Sequence, residues 1–134
     1  MTPDQLVAAV RAALDDTERL ARRATSAPWT SDDPFMRDAV HAPLVSIGEF
    51  QVYVADCLGK EMGPFARYNA EHIARHDPAT VLRRVAADRR VLGRHQPCVN
   101  CDGECHACGH NPPWPCPDFA DLADRLGIDP AGKQ

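Results

Sequence analysis

Long apolar runs are missing from this sequence of 134 residues. No stretch approaches the ~20 residues that a bilayer-spanning helix needs. The opening MTPDQLVAAVRAALDD carries acids where a signal peptide requires an unbroken apolar segment. The expected location is therefore cytoplasmic, with no membrane partner. Aromatic residues are scarce at 6%, and the formal net charge is −4. Together these exclude a surface given over wholly to clamping nucleic acid and leave room only for a local basic patch. A Gly-rich phosphate loop, a Gly-x-Ser-x-Gly elbow and a paired-acid signature are also missing, so the chain is not expected to be an enzyme. What is present, 44% hydrophobic and 25% charged residues, suffices for one folded domain with a real core.

Residues 3–24 predict an amphipathic helix. Leu6, Val10, Leu14, Thr17 and Leu20 recur at helical spacing, with Thr2 as N-cap and Pro3 at the first helical position. Asp15–Arg19 and Glu18–Arg22 are spaced to pair across one turn. The prolines of the stretch 25–43 forbid a continuous helix there. The β-branched and aromatic run at 44–56 predicts a hairpin turning at Gly48-Glu49, with a third strand around Trp29. Further helices are expected at 65–76, 78–93 and 117–126, the last ended by Gly127. The helix at 78–93 turns Val81, Leu82, Val85 and Leu92 inward.

Five of the six cysteines fall between 98 and 116, spaced C-x2-C-x3-C-x2-C-x7-C. Two C-x2-C turns, Cys98/Cys101 and Cys105/Cys108, resemble zinc knuckles, in which a tight turn aims both sulfurs at one point. Cys116, at the start of the last helix, can close the site, where the helix dipole favours a thiolate. Disulfides are not expected, because the compartment is reducing and bridges so close in sequence would staple only the loop. Cys105, Cys108 and Cys116 are the first candidates for ligands, with Cys98, Cys101 or His95 supplying the remaining position. His106 and His110 read as solvated loop residues, and Cys57 as a small buried hydrophobe. An iron–sulfur cluster is the alternative cofactor, since Cys101-x3-Cys105-x2-Cys108 offers three cysteines and others could supply a fourth.

His72 and His76 stand four apart on one helix, a spacing that can bind metal, but capping or core packing accounts for them as well. Arg83, Arg90 and Arg94 lie close together at helical spacing and could neutralise phosphates. They could equally pair with Asp118, Asp121 and Asp124.

Three segments carry a resemblance: ATSAPW at 24–29, NAEHIARHDPATVLRR at 69–84 and WPCPDFADLA at 114–123. In this order they are similar to a family of small uncharacterised proteins of high-GC Gram-positive bacteria and their phages. Members often show a His, a Cys-x2-Cys and a final Cys-Pro, and the resemblance implies His95, Cys105, Cys108 and Cys116 in those places. It also implies an accessory protein of phage or prophage type.

The expected fold is α+β: an N-terminal helix and a helix pair packed on a small antiparallel sheet, followed by a C-terminal Cys-rich zinc loop and short helix. Residues 1–96 form the helix/hairpin/helix core and 97–134 the zinc loop and last helix of one compact domain. The expected function is that of a zinc-stabilised adaptor binding a host or phage protein, because structural zinc without a catalytic constellation suits interaction modules. The alternatives are a DNA-binding regulator using the Arg-rich helix 78–94 and an iron–sulfur redox sensor.

Overall fold

The first helix begins where its sequence can satisfy the free N–H groups of a helix start. In the computed structural model, which describes residues 1–24, 28–31, 39–43, 51–56, 66–97, 104–105, 107–108 and 112–130, α1 runs Pro3–Arg23. The Gln5 N–H donates to Thr2 Oγ1 (3.2 Å), and the Thr2 N–H donates back to Gln5 Oε1 (2.8 Å). This reciprocal arrangement is a capping box. Leu6, Val7, Val10, Leu14 and Ala21 are buried, but Leu20 is 55% exposed. At 100° per residue Leu20 falls well to one side of the stripe that the buried residues define, so its apolar character did not place it in the core.

The other elements are β1 Ala39–Pro43, β2 Gln51–Asp56, α2 Ala66–Ala74, α3 Pro78–Arg94 and α4 Pro117–Arg125. Asp77 caps α3: the Thr80 N–H donates to its Oδ1 (2.7 Å) and Pro78 takes the first helical position. Burial alone would raise the Asp77 pKa, but bonds from the Thr80 and Trp29 backbone and the Thr80 hydroxyl, with Arg83 nearby, hold it below the usual carboxylate range. The end of α4 is a Schellman motif. The Ile128 N–H donates to the Ala123 carbonyl (2.9 Å), the Gly127 N–H to Asp124 (2.9 Å), and Gly127 has φ +72°.

The α+β expectation is corrected by these elements. The fold is mostly helical. Among the described residues, β1 and β2 form a two-stranded antiparallel ribbon, running from Ala39↔Asp56 to Pro43↔Gln51, with an irregularity that leaves Val54 as an extra residue. Two short strands present surface for α2, which meets β1 through Ala70 and Val40, but too little for a layer that carries the helices as a set. Of the β-branched run at 44–56, the described part, 51–56, is extended as read and pairs with Ala39–Pro43, but among the described residues most of the buried side chains come from helices. Trp29 packs with Ile73 and Ala74 against Val40 and Ala70, and beside it Thr30 forms a single β-bridge, the described part of the third strand expected there. The Gly48-Glu49 turn and Cys57 lie outside the described residues.

The chain forms two compact units, Met1–Arg19 with Arg84–Gln134, and Leu20–Arg83. In the first, Arg89 of α3 bonds both Asp15 (2.6 Å) and Glu18 (2.8 Å) of α1. Arg125 of α4 bonds Asp88 of α3 (2.8 Å). Asp15 is thus engaged by α3, and Arg19 pairs with Asp16 instead. Buried residues of this unit include Val85 and Leu92 of α3, Phe119, Leu122 and Ala123 of α4, and Cys105, Cys116 and His95. The second unit holds the ribbon and the Val40/Ala70 core. Among the described residues, no helix is long and apolar enough to cross a membrane.

Candidate metal centre

A histidine directly after a helix is placed by that helix. The His95 N–H donates to the Val91 carbonyl (3.0 Å), continuing the last turn of α3, and the residue is only 7% exposed. Its Nδ1 stands 3.3 Å from Cys116 Sγ and 3.6 Å from both Cys105 Sγ and Cys108 Sγ. The four candidate ligand atoms all lie within 4.8 Å of one another. A tetrahedral zinc with ordinary Zn–S and Zn–N bonds sets its nitrogen about 3.5 Å from each sulfur. The observed separations match that figure, so the donor set fits the ion in both chemistry and size. None of the three cysteines is in a disulfide.

The loop supplies this geometry through two local devices. Backbone N–H groups of Ala107 and Cys108 turn toward the Cys105 sulfur, as in a zinc knuckle. The Cys105 N–H donates to the Pro112 carbonyl (2.9 Å), and Glu104 pairs antiparallel with Pro113, which folds the loop back on itself. Cys116 then enters as the N-cap residue of α4, its carbonyl accepting from Phe119 (3.0 Å) and Ala120 (2.9 Å). The Trp114 indole packs on Phe119 with ring centroids 4.9 Å apart, and its Nε1 donates to the His95 carbonyl (3.1 Å).

Electrostatics make the cluster unstable as a set of bare thiolates. Burial pushes the Cys108 thiol up to about 12, with Cys116 and Cys105 adding to the rise. Burial also raises Cys116, although the Phe119 N–H offsets part of it. At Cys105 burial acts upward too, but bonds from Cys116 and from the Ala107 and Cys108 backbone outweigh it and the pKa falls. One sulfur therefore ionises readily and its neighbours hold their protons. A cation is what allows all three to be thiolates together.

Of the residues singled out in the sequence, His95, Cys105, Cys108 and Cys116 come together. Cys98, Cys101, His106 and His110 lie outside the described residues. Arg83, Arg90 and Arg94 are exposed along α3, and Arg83 donates to the Thr80 hydroxyl (2.8 Å). His72 and His76 are exposed with ring centroids 4.5 Å apart, and His76 Nδ1 donates to the His72 carbonyl (2.8 Å), a capping role at the end of α2. Two neighbours of the centre escaped sequence reasoning. Trp114 gave no signal beyond its position, and Asp118, expected to meet arginines, places Oδ2 3.6 Å from His95 Nε2.

No curated protein and no solved structure matches the chain. Residues 3–125, a span that holds α1 to α4 and the His95/Cys105/Cys108/Cys116 cluster, match DUF6221, and the chain therefore belongs to that family, a family of unknown function.

Proposed function

We propose that the His95/Cys105/Cys108/Cys116 cluster binds one zinc ion with a structural role, and that the protein acts as a small cytoplasmic adaptor of phage or prophage type, binding a host or phage protein. The observation that carries the zinc reading is the single imidazole nitrogen held 3.3–3.6 Å from three unbridged sulfurs. Four protein donors complete a tetrahedral ion and leave no open position for a reacting group, which favours architecture over catalysis. The same closeness favours one ion over an iron–sulfur cluster, whose cysteines bind separate irons and so stand well apart. The adaptor reading rests on that closed site together with the resemblance stated above.

Elemental analysis of protein purified under reducing conditions should give one zinc per chain from a colourless sample. Cys116→Ser should lose the metal, and chelator should lower the melting temperature of the native chain, because the ion's binding energy is also folding energy. A metal-free sample with an unchanged melt in chelator would sink the reading.

The DNA-binding alternative has in its favour that Arg90 and Arg94 are exposed on one stripe of α3. Salt-sensitive DNA retention abolished by Arg90→Glu would support it; absence of DNA binding at low salt removes it.

A further inference from the structure

His95 is held at both of its ends. Its backbone carbonyl accepts the Trp114 indole N–H, its Nδ1 faces three sulfurs, and the opposite ring nitrogen, Nε2, faces the Asp118 carboxylate at 3.6 Å. An imidazole can offer a lone pair from one nitrogen only while the other carries the proton. A carboxylate beside Nε2 favours the proton there, which leaves the Nδ1 lone pair free for a ligand on the sulfur side. Asp118 reaches this place because it follows Cys116 by two residues in the first turn of α4. The segment that supplies a thiolate thus also supplies the carboxylate behind the histidine.

We propose that Asp118 is a positioning residue of the metal centre, which fixes the His95 tautomer and ring orientation through Nε2 and thereby strengthens metal binding at Nδ1. The proposal rests on the metal reading above. Asp118 is exposed, with 65% of its side chain accessible, so water competes and the effect belongs at the lower end for such partners, about tenfold in affinity.

The test uses the full chain loaded with Zn2+ or Co2+. Competition against a chromophoric chelator should give a Zn2+ dissociation constant about tenfold higher for Asp118→Asn than for wild type, at unchanged 1:1 stoichiometry. Asp118→Glu should recover part of the loss. The ligand-field bands of the Co2+ form should shift in Asp118→Asn, and the His95 Nε2–H should exchange faster with solvent. A role confined to the acidic first turn of α4 would change the melting temperature and leave the Co2+ bands and the Nε2–H exchange as in wild type, and that outcome overturns the proposal. Wild-type protein that binds no Co2+ or Zn2+ overturns the metal reading and this inference with it. Wild-type binding with identical constants and spectra in Asp118→Asn overturns this inference alone.

Discussion

Single side chains in this protein work through the backbone groups they satisfy. Asp77 accepts from the first turn of α3 and sits below its ordinary pKa. A carboxylate whose folded pKa lies under its unfolded value of about 3.9 contributes stability that is fully present above that value and fades as pH falls through the folded one. Asp77→Ala should therefore cost about 1 kcal/mol at pH 7, and its deficit against wild type should shrink in acid. Asp77→Asn keeps an oxygen acceptor and should show a smaller deficit at pH 7. Denaturant titrations of both variants and wild type at pH 7 and pH 3, all in chelator, check this. A deficit that stays constant across that range would show that the charge on Asp77 contributes nothing. The Thr2-Pro3 dipeptide made the cap of α1 legible in advance, and Asp77-Pro78 repeats its pattern of a capping side chain before a first-turn proline. Tertiary pairings were not legible: Asp15 has Arg19 at helical spacing, yet its carboxylate bonds Arg89, 74 residues away. Local spacing counts available partners and says nothing of those that the fold brings alongside.

At the scale of the element, two glycines should respond to alanine with opposite sign. Gly127 has φ +72° at the end of α4, with nothing within 4 Å of an added Cβ. The cost of Gly127→Ala is then purely that of the left-handed backbone, about 1–2 kcal/mol. Gly93 lies inside α3, also with nothing within 4 Å of an added Cβ. There alanine should stabilise by about 0.5–1 kcal/mol. Thermal melts of the two variants beside wild type decide both, and a stabilising Gly127→Ala would contradict the Schellman end of α4. Helix bounds were well marked by such punctuation, and the observed α3 and α4 each end within one residue of the sequence reading. Extended chain at 51–56 was legible too. What periodicity could not supply was which stretch would pair with 51–56, because strand pairing is decided by distant chain: among the described residues the partner is Ala39–Pro43.

For the molecule as a whole, the cysteine spacing announced a candidate metal centre before any geometry did and put Cys105, Cys108 and Cys116 first, but it left the remaining position among Cys98, Cys101 and His95. Among the described residues the fold brings His95 to those three sulfurs by placing one helix end, one turn and one helix start at a common point. A consequence is measurable on the whole chain. Metal uptake must displace the protons of Cys108, raised to about 12, and of Cys116, also raised. Calorimetry of Zn2+ binding in buffers of different ionisation enthalpy near neutral pH should then show at least two protons released per ion, and affinity should fall steeply as pH is lowered. Uptake with no proton release would mean that the ion binds elsewhere.

The indole of Trp114 is fastened to the carbonyl of His95, which turns a packing detail into a built-in optical probe. The chain has two tryptophans, and the other, Trp29, belongs to a different unit. In a Trp29→Phe background the remaining emission should be quenched as Co2+ fills the centre and should recover when chelator strips it, so that loading can be followed by light alone without any added dye.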